Sequence, residues 1–321
     1  MLTAEQILAD IKSDRVKKVI VDSDFSAECD DQYTLAYALG CDKMEVLAAN
    51  AVAHYDDRHP DTYSTMLTSY AECLRVLHAS GIDRNVFPNF QGASSQITHN
   101  KDFAPSDCPA VQNILKLARE TDDIIYIITT GPCTDAVSAY LIDPSIADKI
   151  CVVWLGGVEI GRSTTQSFHE WNMYADFKAS QILLDSDIPL VMLHAGYKGS
   201  GQIKMTYDEF QSLADCPNGT SFAGEFYSQH LPRVCASSSE YVQGWVKTMC
   251  DFEGTAVISV PDAVDFSIIP APKLTDEGKY ALDDSRKKIV WGENPNSDVI
   301  IADAVKCIKN VIINAGSLKI N

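Results

Sequence analysis

The sequence predicts an α/β fold in which a mostly parallel central sheet carries helices on both faces, as a single domain over residues 1–321. Short apolar runs rich in Val and Ile alternate with segments of helical periodicity, which is typical of parallel strands buried on both faces. The 321 residues are 46% hydrophobic and 22% charged, which is ordinary for a globular protein. No internal repeat or linker divides the chain.

Five apolar runs are predicted to be strands of this sheet, and they span 16–22, 46–52, 124–130, 150–157 and 188–194. Helices are predicted between and around them, because apolar residues recur there at three- and four-residue spacing. The main predicted helices are a short N-terminal one and those at 30–39, 60–80, 175–185 and 298–312, with one more just before the third strand. A helical region, forming a cap, is predicted around 200–250, and 251–298 is mixed.

The charge balance restricts the classes of partner. Lys and Arg number 26 and Asp and Glu number 44, so the formal net charge is −18, which argues against nucleic acid and anionic membranes. No segment reaches the ~18–20 consecutive apolar residues of a membrane span. The N-terminus lacks a basic region followed by an apolar core, so no signal peptide is expected. Ten scattered cysteines without zinc-ligand spacing complete the prediction of a cytoplasmic protein with free thiols.

The first strand is followed by the most informative cluster. Five carboxylates lie within ten residues, at Asp22, Asp24, Glu28, Asp30 and Asp31. Ligands of an open parallel sheet bind outside the carboxyl ends of its strands, so the cluster is expected at a site. Buried carboxylates side by side need a compensating cation, and oxygen ligands without His or Cys favour Ca²⁺ or Mg²⁺ over zinc. The alternative is a solvated acidic loop that caps the next helix.

Four segments of the sequence resemble, in order, those of the inosine-uridine-type nucleoside hydrolases. They cover roughly residues 16–265 and are VIVDSDFSAECDDQYTLAYAL, ITTGPCTDAVSAY, VVWLGG with HEWNMYAD, and CDFEGTAV. The first is similar to the family's D-x-D…D-D signature in its longer-loop form. One block alone would be weak, but four in the right order are fairly specific.

This resemblance implies a Rossmann-related α/β fold and Ca²⁺-dependent hydrolysis of the N-glycosidic bond of ribonucleosides, giving ribose and free base. By position, the resemblance implies that the ion's ligands are Asp24, Asp31, Asp251 and the backbone carbonyl of Thr130. It also implies a metal-activated water, with Asp24 as general base. The expected partner is a small nucleoside or riboside, and the expected assembly is a homodimer or homotetramer.

The resemblance further implies that the ribose is held by Asp30, Glu170 and Asn172. Thr164 or Gln166 is a candidate contact for the ribose 5′-hydroxyl, within a segment, 162–166, that departs from the family pattern. Trp171 is a candidate to stack on the ribose or the base, with packing into the protein as the alternative.

Other departures concern the turn and the proton donor. In the turn after the first strand, Ser26 stands where the family has Gly, and Phe25 stands where it has another hydrophobic residue or Pro. A turn that needs a positive φ at this position would be strained by Ser. Cys250 stands where the family has a His that is a candidate acid for the leaving group. His54 and His169 are candidate replacements for that acid, with a structural or surface role as the alternative for each.

Three other functions remain open from sequence. A hydrolase-fold protein that binds a nucleoside, ribose or related glycan with little or no turnover is the main alternative, favoured by the altered turn and the missing His. A phosphotransfer enzyme of the haloacid-dehalogenase type also opens with D-x-D after a first strand, but leaves the D-D pair unexplained. A scaffolding protein would carry the acidic cluster as surface charge.

Overall fold

The computed structural model describes residues 2–55, 61–161, 170–216 and 246–313 of the chain. The helices are α1 (Ala4–Ile11), α2 (Cys29–Leu39), α3 (Thr62–Ala79), α4 (Pro109–Glu120), α5 (Thr134–Ile142), α6 (Trp171–Ala175), α7 (Phe177–Asp185), α8 (Tyr207–Ala214), α9 (Phe252–Ser259) and α10 (Ser297–Ile313). The strands are β1 (Lys17–Ser23), β2 (Met44–Ala51), β3 (Asn89–Gln91), β4 (Ile125–Thr129), β5 (Ile150–Leu155), β6 (Leu190–Leu193), β7 (Lys204–Thr206), β8 (Val246–Thr248), β9 (Asp265–Pro270), β10 (Lys273–Leu274), β11 (Tyr280–Ala281) and β12 (Lys288–Glu293).

The main sheet of the described residues has the strand order β3-β2-β1-β4-β5-β6-β12-β9. Its neighbouring strands are parallel, except that β12 and β9 are antiparallel at one edge. After β1, the chain adds β2 and then β3 on one side of β1 in the sheet, and it then crosses over to add β4 on the other side of β1. Strand order therefore changes direction between β1 and β4, where ligands of open parallel sheets bind.

Helices cover both faces of the sheet, and each face has its own buried apolar core. Helices α1, α2, α3, α9 and α10 pack against the face that carries Val19 and Val21 of β1, whereas α4, α5 and α7 pack against the face that carries Ile20. Successive side chains of a strand point to opposite faces, so β1 contributes to both cores. The predicted α/β class, with its mostly parallel sheet and helices on both faces, is confirmed.

Two deeply buried helices bring acidic residues to the carboxyl end of β1. Helix α2 is buried at Cys29 through Ala38, with Asp30 and Asp31 in its first turn. Every residue of α9 is buried, and Asp251 is its N-cap. Carboxylates at helix N-termini interact favourably with the free N–H groups and the helix dipole. The packing of these two helices therefore places three carboxylates inside the protein.

The predicted strands and helices match the observed ones to within a few residues, apart from the region around 200–250. There the structure has α8, but also the short antiparallel pair of β7 and β8, which the helical prediction did not include. Residues 217–245, where further helices were predicted, lie outside the described residues. Within the described ranges, no helix combines the length and apolar character needed to cross a membrane.

Candidate active site

The candidate site lies where strand order reverses, after β1 and β4. Asp24 follows β1 and Thr130 follows β4, and the backbone N–H of Thr130 donates to the carbonyl of Asp22 at 3.1 Å. Gly131 makes the close approach of the two loops possible. A Cβ at this glycine would lie 2.7 Å from Oδ1 of Asp24 and 3.0 Å from its backbone nitrogen. The glycine of the T-G-P segment is therefore required for Asp24 to occupy this position.

Three carboxylates form the core of the site. Single oxygens of Asp30, Asp31 and Asp251 lie within 4.8 Å of one another, and all three residues are buried. Oδ2 of Asp30 accepts a hydrogen bond from the backbone N–H of Asp251 at 3.4 Å, which joins α2 to α9. Burial, and then the charges of Asp251, Asp24 and Asp30, raise the pKa of Asp31 well above its usual range.

Asp24 lies beside this cluster and shares its electrostatic environment. Its carboxyl group interacts with that of Asp31, and burial raises the pKa of Asp24 to about 7. A carboxylate with a pKa near neutrality can accept and release a proton under ordinary conditions. Asp22, the first acid of the sequence cluster, is fully buried, and Glu28 is exposed.

Ser23 is a residue that sequence reasoning did not single out. Its hydroxyl donates to Oδ1 of Asp31, and it accepts from the hydroxyl of Thr130 at 2.9 Å. The backbone N–H of Glu28 donates to the other oxygen of Asp31 at 3.2 Å. Both oxygens of Asp31 are thereby oriented by the protein. In the sequence, the feature that could have indicated a role for Ser23 in the site is its position between Asp22 and Asp24.

Asn172 connects the site to the carbonyl of Thr130. Its side-chain Nδ2 donates to that carbonyl at 2.7 Å and to the carbonyl of Leu155 at 2.9 Å. The amide has two N–H groups, so both are used, and Oδ1 is the atom through which Asn172 can accept from a ligand. The carbonyl of Thr130 retains a second lone pair for another partner.

Glu170 is the N-cap of α6 and holds the loop after β5. Its carboxylate accepts from the backbone N–H groups of Gly157 at 2.6 Å, Asn172 at 3.0 Å and Met173 at 2.8 Å. Burial raises the pKa of Glu170 to about 7, although these three hydrogen bonds oppose the shift. Much of its hydrogen-bonding capacity therefore serves the fold of the loop.

Trp171 and His54 are the remaining candidates among the described residues. Trp171 is 64% exposed, so it does not pack into a core. His54 follows β2, is partly buried, and its backbone carbonyl accepts from the hydroxyl of Thr65 at 2.7 Å. Thr164 and His169 lie outside the described residues.

The altered turn and the missing His have different consequences. Ser26 is not among the described residues with positive φ, so the turn is built without the strain that glycine would relieve. Phe25 is fully buried in the core beside α2. Burial raises the pKa of the Cys250 thiol to about 12. Such a thiol is a poor proton donor near neutral pH.

Lys247 is the second residue that sequence reasoning missed. It belongs to β8, and its Nζ lies 2.9 Å from Oε2 of Glu28 and 3.9 Å from Oδ1 of Asp30. Its side chain is only 16% exposed. Burial lowers the pKa of Lys247, but the charges of Asp30 and other nearby groups outweigh this and raise it, so the side chain is a cation. A lone lysine near the C-D segment was the only signal in the sequence.

The donor set fits a hard divalent cation. Asp30, Asp31 and Asp251 offer oxygen ligands alone, at mutual distances that one ion can bridge. Several carboxylates buried together are costly unless a cation compensates them or they are protonated. The same chemistry disfavours zinc in a structural site, which takes Cys and His.

Comparison with known proteins identifies the family. The model of the family described as inosine-uridine preferring nucleoside hydrolase matches residues 19–308. The chain therefore belongs to this family, and the resemblance of its four sequence segments is confirmed.

Solved structures of the family have the same fold. A purine-preferring ribonucleoside hydrolase from Gardnerella vaginalis is 19% identical with a TM-score of 0.70, over 92% of this chain and 99% of that one. An inosine-uridine preferring nucleoside hydrolase from Bacillus anthracis is 18% identical with a TM-score of 0.64, over 92% of this chain and 100% of that one. At these identities the likeness establishes the fold.

A curated relative matches over a shorter segment. The pyrimidine-specific ribonucleoside hydrolase RihA of Escherichia coli is 33% identical over 90 residues. That segment is 28% of this chain and 29% of the relative's length.

Proposed function

We propose that this protein hydrolyses the N-glycosidic bond of ribonucleosides, using a Ca²⁺ ion held by Asp24, Asp31, Asp251 and the carbonyl of Thr130. The observation that carries the proposal is the buried cluster of Asp30, Asp31 and Asp251 beside the strand-order reversal, in a chain of the nucleoside hydrolase family. Of these three carboxylates, Asp31 and Asp251 are proposed ligands of the ion, and Asp30 is a proposed ligand of the sugar. When bound, the ion supplies positive charge that acidifies a water molecule and orients sugar hydroxyls.

Asp24 is the proposed general base. Its carboxyl group lies against Asp31, and Gly131 allows the β4 loop to close on it. A base in a fixed position beside the ligand cluster can take the proton of a water molecule at the moment of attack. Ser23 supports this arrangement by orienting Asp31.

Asp30, Asn172 and Glu170 are the proposed sugar ligands. Oδ1 of Asp30 receives no hydrogen bond from the described residues, and Oδ1 of Asn172 is its remaining acceptor. Both can accept from ribose hydroxyls. The transition state of glycoside cleavage has oxocarbenium character, and surrounding carboxylates stabilise its positive charge. We assign Glu170 a contribution through its spare lone pairs, and exposed Trp171 a stacking contact with the ribose or the base.

The leaving group constrains the substrate. Cys250 holds its proton too tightly to serve as an efficient acid near neutral pH. His54, which follows β2 and lies among the described residues, is one candidate for this acid, and His169 is a second candidate from the sequence. Thr164 remains a sequence-based proposal for the contact with the ribose 5′-hydroxyl. We therefore propose a preference for ribosides whose leaving group departs without protonation.

A second candidate function is binding of a riboside with little turnover. Cys250 favours it, because the family's candidate acid is missing at that position. The turn at Ser26 does not favour it, since Ser26 is not among the described residues with positive φ. Ca²⁺-dependent binding of a ribonucleoside without release of base would support this candidate over the hydrolase.

The hydrolase proposal is tested by release of p-nitrophenolate from p-nitrophenyl riboside with Ca²⁺ present. Asp24→Ala is expected to abolish turnover, and Asp251→Ala to weaken Ca²⁺ binding. Asp262→Ala is the matched control, because Asp262 has a side chain that is 95% exposed. An Asp24→Ala variant with the wild-type kcat would show that Asp24 is not the base.

The single-domain organisation, the homodimer or homotetramer and the cytoplasmic location stay predictions. Native mass spectrometry of the purified chain would test the predicted assembly.

A further inference from the structure

The carboxylate of Asp30 could take either of two roles, as a ligand of the metal ion or as a ligand of the sugar. One of its oxygens belongs to the group that, with Asp31 and Asp251, could hold a metal ion. The same residue is also a proposed ligand of the sugar. A carboxylate that coordinates an ion with both oxygens has fewer lone pairs left for a ribose hydroxyl, so metal binding and sugar binding compete for Asp30.

Lys247 bears on this competition through its position. Nζ of Lys247 stands 3.9 Å from Oδ1 of Asp30, and Oδ2 of Asp30 accepts from the backbone of Asp251. Among the described residues, Lys247 is the one cation in an ion pair with a carboxylate of the cluster. Lys247 is held in place because β8 pairs with β7, where Lys247 lies opposite the fully buried Met205.

We infer that Lys247 is a positioning residue that reserves Asp30 for the sugar by keeping its carboxylate out of the metal's ligand shell. This inference rests on the proposed function for the identity of the ligands. The ammonium attracts Asp30 toward its own side and repels a divalent ion from it. The ion is thereby directed to Asp24, Asp31, Asp251 and the carbonyl of Thr130.

Glu28 completes the arrangement from outside. Its carboxylate pairs with the same ammonium at 2.9 Å but is 66% exposed. Exposed ion pairs contribute little, so Glu28 is expected to orient Lys247 without determining its effect. Because Glu28 belongs to this arrangement, the matched control for the loss of a lysine charge is Lys12→Met, whose side chain is 48% exposed and pairs with the 95% exposed Asp262.

The test compares wild type, Lys247→Met, Lys247→Arg and the control Lys12→Met. For each protein, Ca²⁺ affinity is measured by titration of the metal-stripped form, and KM is measured for p-nitrophenyl riboside. Lys247→Met is expected to bind Ca²⁺ roughly tenfold more tightly, since a repelling charge is removed and Asp30 is released to the ion. Its KM is expected to rise roughly tenfold, because Asp30 is withdrawn from the sugar. Lys247→Arg and Lys12→Met should stay near wild type in both readouts.

Tighter Ca²⁺ binding is a readout that structural damage would not produce, because a distorted site binds metal more weakly. Unchanged or weaker Ca²⁺ binding by Lys247→Met overturns the inference. If Lys247→Met does not fold by circular dichroism, Lys247→Gln replaces it with the same expectations. A wild type that binds Ca²⁺ but cleaves no riboside contradicts the proposed function alone, and the titration then decides on Lys247. A wild type that binds no divalent ion contradicts both.

Discussion

The side-chain amide of Asn172 donates one hydrogen bond to the backbone carbonyl of Thr130 at 2.7 Å and another to that of Leu155 at 2.9 Å. The first of these carbonyls is a proposed metal ligand, so we expect Asn172 to act on the metal through it, in addition to its proposed contact with the sugar. Groups that orient metal ligands in this way usually contribute to affinity.

Asn172→Ala is expected to weaken Ca²⁺ binding by roughly tenfold or more, because the carbonyl of Thr130 loses the donor that orients it. Calorimetric titration of the metal-stripped chain measures the effect. Trp171→Phe, at the exposed neighbouring position, is the control and should leave Ca²⁺ affinity unchanged. Equal Ca²⁺ affinity in Asn172→Ala and wild type would contradict the role given to this hydrogen bond.

Gly131→Ala is expected to displace Asp24 and abolish most turnover. The added methyl would lie 2.7 Å from Oδ1 of Asp24 and 3.0 Å from its backbone nitrogen, so one of the two loops must shift. Circular dichroism should show that the fold is retained, while kcat for p-nitrophenyl riboside falls by on the order of 10²-fold, the usual effect of losing a general base. A wild-type kcat in this variant would show that turnover does not depend on the observed position of Asp24.

Substrate preference follows from Cys250. The wild type is expected to cleave p-nitrophenyl riboside with a higher kcat/KM than inosine, because the thiol, whose pKa burial raises to about 12, cannot readily protonate a purine. Cys250→His should raise kcat/KM for inosine more than for the aryl riboside, with Cys250→Ser as the control for side-chain size. Inosine cleaved by the wild type as fast as the aryl riboside would rule out this explanation.

Stability of the metal-free chain should fall as pH rises. Burial raises the pKa values of Asp24 and Glu170 to about 7, from ordinary values of 3.8 and 4.5. The folded chain therefore holds these protons more tightly than the unfolded chain. The stabilisation is complete below the ordinary values and is lost as pH rises through about 7.

Melting temperatures of EDTA-treated protein at about pH 5 and about pH 8 test this dependence. We expect a lower Tm at the higher pH, and a larger increase of Tm on adding Ca²⁺ there, since the ion replaces the missing protons. The dependence should be shallower in Glu170→Gln. A metal-free Tm that rises between the two pH values would contradict the assignment.

The sheet and the acidic cluster could be predicted because their signals are local. The apolar runs of β1, β4 and β5 are continuous, and Asp30 and Asp31 follow β1 within a few residues. In a parallel sheet the carboxyl ends of the strands share one edge. The convergence of the loops that follow these strands could therefore be predicted from the strand assignments alone.

Lys247 could not be predicted, because its partners are distant in sequence. Its contact with Glu28 spans 219 positions, and a single lysine has no periodicity or spacing to indicate a site. Short strands such as β7 and β8 have three residues each, too few to show the alternation that distinguishes a strand from a helix. The role of Ser23 depends on the orientation of its hydroxyl toward Asp31, which sequence does not encode locally.

Calorimetric titration of EDTA-stripped protein tests the proposed Ca²⁺ site after β1. Wild type and an Asp24→Ala, Asp31→Ala double variant are titrated in parallel with Ca²⁺. We expect tight binding by the wild type with a stoichiometry of about one, and its loss in the double variant. Absence of binding by the wild type, or equal binding by both proteins, would contradict a Ca²⁺ site that depends on Asp24 and Asp31.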